Sequence, residues 1–97
     1  MILSSVRKVE FRLQQKTEYG QDLYVIGSTA ELGGWKEFKN KMKWTEGHIW
    51  TISLDLVDPQ FEYKYVIKTG KELKWEPGPN RVCVMSELKD PVIFGTS

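Results

Sequence analysis

The chain has 97 residues, with 14 Lys and Arg against 13 Asp and Glu, so its formal charge is +1. This length predicts one domain over residues 1–97 and excludes two full-sized cores, and no apolar run approaches the roughly 20 residues of a membrane-spanning helix. The near-zero charge argues against nucleic acid as the main partner, because phosphate binding needs a basic surface. We expect a soluble monomer that makes no membrane contact and binds a nearly neutral partner.

Three further expectations come from cysteine, histidine and the N-terminus. Cys83 is the sole cysteine and cannot form an internal disulfide, and with His48 alone beside it the ligands for a structural zinc site are too few. No metal or other cofactor is predicted. Residues 1–6 lack the apolar run of a signal peptide, which favours an intracellular location, in the cytoplasm or a plastid, over secretion.

Apolar and polar residues alternate with a period of two along most of the chain, which predicts strands and no long helix. Residues 28–35 are predicted as a loop that holds at most one helical turn, because Gly33 and Gly34 stop it. Seven or eight short strands joined by tight turns are typical of an all-β, immunoglobulin-like antiparallel β-sandwich. The predicted strands cover residues 9–14, 23–26, 42–44, 49–56, 61–68, 73–75, 81–85 and part of 91–94.

Four Trp, four Tyr and four Phe are many aromatics for so short a chain. Trp50 lies on the apolar face of its strand and is predicted in the core, where Phe11, Phe61, Tyr63 and Tyr65 are also expected. Trp44 shares a strand face with Met42, which favours the core over the surface. For Trp35, after a double glycine, and Trp75, before a proline-rich loop, the pattern leaves core and surface equally open.

Exposed indoles among polar side chains would suit a sugar. A pyranose ring has an apolar face of C–H groups that an indole can cover, and a rim of hydroxyls that polar side chains can bond. The polar candidates near Trp35 and Trp75 in sequence are Glu62, Lys64, Glu76, Asn80 and Arg81.

Four segments, in this order and spacing, resemble the starch-binding domains of carbohydrate-binding module family 20 (CBM20). They are Val25-Ile26-Gly27-Ser28, Glu31-Leu32-Gly33-Gly34-Trp35, Phe61-Glu62-Tyr63-Lys64-Tyr65 and Trp75-Glu76-Pro77-Gly78-Pro79-Asn80-Arg81. The resemblance implies a noncatalytic β-sandwich that binds α-1,4-glucans such as starch, glycogen, maltooligosaccharides and cyclodextrins. It also implies that the domain targets an attached or associated enzyme to the polysaccharide.

The resemblance also implies the site residues. Trp35 and Trp75 match the paired tryptophans of the family's first site, which stack on glucose rings, and Lys64, Glu76 and Asn80 match its polar partners, of which Lys64 and Asn80 bond the sugar hydroxyls. At the second site Tyr19 matches a stacking tyrosine. The second aromatic of that site has no direct counterpart, so Trp44 either substitutes for it or belongs to the core.

Other functions stay open at this stage. The loop between Trp35 and Trp50 is short, as in the modules of phosphoglucan, water dikinases, and its lysines could favour phosphorylated glucan or hold a single nucleic-acid strand. Glu62 and Glu76 could be imagined as a glycosidase pair, although so short a chain offers no second lobe to close a cleft. A protein-interaction module that has kept the fold is a further alternative. The lysines in question are Lys36, Lys39, Lys41 and Lys43.

Overall fold

Eight strands and one short 3-10 turn make up the regular structure of residues 6–96, which are the residues that the computed structural model describes. In this range there is no α-helix, and hence no helix long and apolar enough to cross a membrane. Residues 1–5, most of the segment read for a signal peptide, lie outside the described residues. The strands are β1 (Arg7–Gln14), β2 (Gln21–Gly27), β3 (Lys43–Thr45), β4 (Ile49–Leu56), β5 (Gln60–Thr69), β6 (Glu72–Trp75), β7 (Arg81–Val84) and β8 (Val92–Thr96).

The strands form two sheets that pack face to face, so the predicted all-β sandwich is confirmed. One sheet has the order β3-β4-β1-β8, and the other has the order β2-β5-β6, with β7 also paired to β5. One pairing departs from the antiparallel expectation, because β8 runs parallel to β1. The chain crosses from one sheet to the other between β7 and β8, and Arg7 ties this crossing down by donating hydrogen bonds to the carbonyls of Met85 and Leu88.

The inner faces of the two sheets supply the core. Phe11 of β1 meets Phe61 and Tyr63 of β5, with ring centroids 6.3 and 5.3 Å apart. Trp50 is only 5% exposed and Tyr65 is equally well buried, as predicted. Such edge and tilted ring contacts add to the free energy gained by burying the rings themselves.

The prediction of Trp44 in the core is wrong, because its side chain is 46% exposed. Trp44 pairs in register with Trp50 and therefore projects from the same, inner face of its sheet. However, β3 is a three-residue edge strand, and no further strand lies beyond it to cover the indole. The alternation identifies the face of a residue but not its distance from the edge of the sheet.

The connection from β2 to β3 is tied to the sandwich at several points. Leu32 is fully buried, and its N–H donates to the hydroxyl of Thr29, which closes the single turn expected there. Asn40 donates from its amide to the carbonyl of Glu31 at 2.6 Å. A Cβ at Gly27, at the end of β2, would lie 2.3 Å from the carbonyl oxygen of Glu62, so only glycine fits this close approach.

Candidate functional site

The outer face of the β2-β5-β6 sheet carries Trp75. In the register of the sheet Trp75 of β6 pairs with Val66 of β5, so both side chains project away from the core face on which Tyr65 lies. Val66 is fully buried even though it belongs to the outer face. Side chains from outside the sheet therefore cover this part of the outer face.

Trp35 comes to the same surface from the β2–β3 connection. Its backbone has φ of 63°, in the left-handed region, and its N–H donates to the carbonyl of Gly27 at 2.9 Å. The indoles of Trp35 and Trp75 have centroids 6.4 Å apart and planes inclined by 36°. Trp75 is 40% exposed and Trp35 is half-buried. The two rings thus form one inclined aromatic surface, which we call the indole platform.

Phe38 is a third aromatic at this surface, and the sequence reasoning missed it. Its ring packs edge to face with Trp75, with centroids 5.6 Å apart and planes at 67°, and it also packs edge to face with Tyr24, at 6.2 Å and 86°. Phe38 lies in a polar, lysine-rich stretch without periodicity, so its contacts could not be inferred from neighbouring residues.

Lys64 projects from the outer face of β5 as predicted, but its ammonium group is already engaged. Nζ donates to the backbone carbonyl of Glu76 at 2.9 Å and to that of Gly78. These bonds anchor the start of the β6–β7 loop to the central strand. An ammonium group has three protons, so one donor remains for a ligand.

Asn80 lies in the same loop and has a fixed amide. Its Nδ2 donates to a carboxylate oxygen of Glu62 at 2.9 Å. This bond leaves the amide oxygen of Asn80 free to accept a hydrogen bond, as a sugar hydroxyl would offer.

The carboxylate of Glu76 turns toward the core face instead of the indole platform. Its two oxygens share the single Nε–H of Arg81, at 3.0 and 3.1 Å, and one of them also accepts from the backbone N–H of Tyr65. The Arg81 guanidinium lies over the Tyr65 ring, 5.0 Å from its centroid. Glu76 therefore faces the indole platform only through the carbonyl that accepts from Lys64.

The positions of the Glu62 and Glu76 carboxylates also decide whether these two residues could act as a glycosidase pair. The Glu62 carboxylate holds Asn80 on the outer side of β5, whereas that of Glu76 holds Arg81 on the inner side. Two glycosidase carboxylates must face one substrate from within a shared cleft. These two do not.

The two tyrosines on the core face of β5, Tyr63 and Tyr65, have raised pKa values. Burial raises the pKa of Tyr63 to about 12, partly offset by the charge of Arg81. Burial, together with the neighbouring Tyr63, raises the pKa of Tyr65 further, and its hydroxyl has no hydrogen-bond partner among the described residues. Both tyrosines are therefore neutral at physiological pH and have a packing role.

Tyr19 and Trp44 lie on one depression of about 360 Å³ at the end of the sandwich, between the β1–β2 and β3–β4 turns. Tyr19 is fully exposed. His48, which the sequence reasoning did not select, has φ of 57° and sets its ring nearly perpendicular to that of Trp44, with centroids 5.9 Å apart. Trp44 is thus exposed next to the His48 ring, and both border the depression that Tyr19 also lines.

Another cleft, of about 380 Å³, opens between the sheets beside Arg81, Glu76 and Ile67. Trp75 borders it, whereas Trp35 and Asn80 do not. Of the charged groups in its wall, Arg81 and Glu76 are paired with each other, and Lys74 is the third.

Comparison with known families decides what kind of domain this is. A family model described as "Starch binding domain" (CBM_20) matches residues 6–92. The chain belongs to the CBM20 family. It is a noncatalytic carbohydrate-binding module that binds starch-type polysaccharide, so the resemblance read from the four sequence segments is confirmed.

Similar proteins agree with this assignment. The chain is 36% identical over 85 residues to glucoamylase-1 of Arthroderma benhamiae, an alignment that covers 81% of this chain but only 14% of that enzyme. The CBM20 domain of the maltotetraose-forming amylase from Pseudomonas saccharophila has the same fold, with a TM-score of 0.70, 22% identity and coverage of 93% and 99% of the two chains. The glucoamylase of Hypocrea jecorina matches with a TM-score of 0.81 and 22% identity, over 94% of this chain and 17% of that one.

Proposed function

We propose that this CBM20 domain binds α-1,4-glucan by stacking glucose rings on Trp35 and Trp75. The observation that carries the proposal is the indole platform itself, with two partly exposed indoles inclined by 36°. An α-1,4-glucan coils, so its successive rings are inclined to one another, and an inclined pair of indoles can cover two of them at once. Starch, glycogen, maltooligosaccharides and cyclodextrins all present this surface.

Lys64 and Asn80 supply the polar contacts of the site. The remaining Nζ proton of Lys64 donates to a glucose hydroxyl, and the free amide oxygen of Asn80 accepts one. Both groups are fixed before the ligand arrives, because Lys64 is bound to the β6–β7 loop and Asn80 to Glu62. A preformed open site of this size gives a dissociation constant between micromolar and millimolar, roughly −8 to −4 kcal/mol.

Weak binding of this kind serves targeting. A granule or a glycogen particle presents many chain ends, and a domain held there raises the effective concentration of substrate for any catalytic domain linked to it. The aligned relatives include a glucoamylase of which such a domain is a small part. We infer the same use here, with the domain acting as a monomer.

The direct test removes each platform indole in turn. Trp75→Ala and Trp35→Ala should each weaken β-cyclodextrin binding by about 1–3 kcal/mol, or roughly 5- to 150-fold, as loss of an interface anchor does. The measurement is calorimetric titration, with unfolding midpoints to confirm the fold. Phe94→Ala is the matched control, because Phe94 is an exposed aromatic on the other sheet. Unchanged affinity in both tryptophan variants would exclude the platform as the site.

A second glucan site is proposed at Tyr19 and Trp44, which flank the depression beside His48. Calorimetry of the unaltered chain should then give two cyclodextrins per molecule, and Tyr19→Ala with Trp44→Ala should reduce the number to one. A stoichiometry of one in the unaltered chain would contradict this site while leaving the indole platform intact.

Phosphorylated glucan is the second candidate ligand. Lys36 and Lys39 are exposed and directly follow Trp35 and Phe38 in the chain, so a glucan phosphate near the platform would meet positive charge. Binding to phosphate-rich and phosphate-free starch should be compared at low and high salt. Equal affinity removes this candidate, and a steep salt dependence without phosphate would instead favour a nucleic-acid partner.

A further inference from the structure

We propose that Phe38 is the positioning residue that holds Trp75 at the inclination of the indole platform and so favours curved glucans. The inference rests on the proposed function of Trp35 and Trp75. It begins with the strand that carries Trp75. All four residues of β6 are exposed, and β6 is an edge strand paired only with β5. Its own sheet therefore supports the Trp75 indole from one side alone.

Phe38 supplies the missing support. Tyr24, Val66 and Trp75 form one row across β2, β5 and β6, with Val66 in the middle. The Phe38 ring touches the two outer members of the row, Tyr24 and Trp75, and so lies over Val66. This placement accounts for the complete burial of Val66 on the outer face.

The position of Phe38 is fixed in turn by its backbone on both sides. Before it, the N–H groups of Lys36 and Glu37 donate to the carbonyl of Gly33. After it, the carbonyl of Asn40 accepts from Val25 of β2, and Lys41 forms a bridge with Tyr24. A ring carried by a segment held at both ends can support its neighbour without moving.

The Phe38 and Trp75 rings meet edge to face at 67°, a geometry in which an aromatic pair is attractive. Losing this contact frees the indole to adopt other rotamers, and the 36° inclination to Trp35 is then one arrangement among several. A rigid ring such as β-cyclodextrin needs that one arrangement, whereas a flexible linear maltoheptaose can follow the indole. Phe38 thus contributes to selectivity for curved glucan without touching the sugar.

A double-mutant cycle tests the inference on the full chain. Calorimetric titration with β-cyclodextrin and with maltoheptaose compares the unaltered protein, Phe38→Ala, Trp75→Ala and the double variant. Phe38→Ala should weaken cyclodextrin binding about 2- to 12-fold, the range of one aromatic pair, and maltoheptaose binding less. In the Trp75→Ala background Phe38→Ala should cause no further loss, because its effect passes through Trp75.

Two companion variants separate positioning from folding. Phe38→Leu keeps apolar cover over Val66 but has no ring edge, so it should keep the unfolding midpoint and still lose cyclodextrin affinity. Phe38→Tyr keeps the ring and should restore the affinity. If Phe38→Ala fails to fold, the cycle is run with Phe38→Leu.

The outcomes distinguish this inference from the proposed function. The positioning role would be overturned if Phe38→Ala reduced cyclodextrin affinity equally in the unaltered and the Trp75→Ala backgrounds. Full cyclodextrin affinity in Phe38→Leu would overturn it as well. If Trp75→Ala has no effect, the positioning role of Phe38 is overturned, and if Trp35→Ala has none either, the indole platform is not the site and the proposed function fails. A loss in Trp75→Ala with none in Phe38→Ala overturns only the inference about Phe38.

Discussion

Trp35 lies in a left-handed backbone conformation that bulky residues rarely adopt. The two residues before it, Gly33 and Gly34, are also left-handed, with φ of 91° and 57°. Three such residues in succession turn the chain so that the Trp35 indole meets Trp75 on the outer face of the sheet. The glycines are thus the local reason that the platform exists.

Gly33→Ala should therefore disturb the platform more than Gly34→Ala does. A Cβ at Gly33 would lie 2.1 Å from the carbonyl oxygen of Glu37, whereas a Cβ at Gly34 would meet nothing within 4 Å. Both variants pay the cost of a left-handed alanine, about 1 kcal/mol, and only Gly33→Ala must also move the loop. Urea unfolding and cyclodextrin titration measure the two effects. Equal losses of stability and of cyclodextrin affinity in Gly33→Ala and Gly34→Ala would contradict this account.

At the scale of the elements, β5 connects the core to the site. Its inward residues, Tyr63 and Tyr65, pack in the sandwich, while Lys64 between them holds the β6–β7 loop on the outside. The loop in turn carries Asn80 and follows Trp75 directly. Site geometry and core packing thus depend on alternate residues of one strand.

Lys64→Met tests this division of roles. The variant keeps an apolar side chain of similar length but releases the carbonyls of Glu76 and Gly78, so the loop should lose its fixed position. Cyclodextrin binding should weaken by about 1.5–3 kcal/mol, the range of hydrogen bonds to a charged group, with little change in the unfolding midpoint. Lys68→Met, at the next outward position but one on the same strand, is the control and should bind normally. A large fall in midpoint with normal binding would make Lys64 a stability residue only.

On the scale of the whole molecule, folding removes the hydroxyls of Tyr63 and Tyr65 from water. Burial raises the pKa of Tyr63 from about 10 to about 12 and raises that of Tyr65 in the same direction. In the unfolded chain both tyrosines ionise near pH 10, while in the folded chain they stay neutral. Their contribution to stability is therefore complete below pH 10 and is lost as the pH rises toward the folded values.

The free energy of unfolding should accordingly fall above pH 10, with about 2 kcal/mol lost through Tyr63 by pH 12. Urea unfolding at pH 8, 10 and 11 measures the slope. Tyr63→Phe cannot ionise, so the slope of this variant should be smaller than that of the unaltered chain. An identical slope in the two proteins would contradict the assigned burial effect.

The sequence by itself determined the fold class, the aromatic core and the family. Alternation along a strand is local, and a run such as residues 49–56 shows which side chains face inward before any partner strand is known. This alternation correctly predicted that Trp50 lies in the core. The four segments that resemble CBM20 led to the family in the same way, since their residues and spacing are properties of the linear chain.

Only the tertiary structure decided where the sheets end and which groups meet across them. Trp44 is exposed because β3 is an edge strand, and β8 forms the opposite edge of the same sheet in parallel pairing with β1. The partners of Lys64, the inward turn of the Glu76 carboxylate and the support that Phe38 gives Trp75 join residues from different elements. Such contacts depend on strand order and register, which no alternation within a single segment encodes.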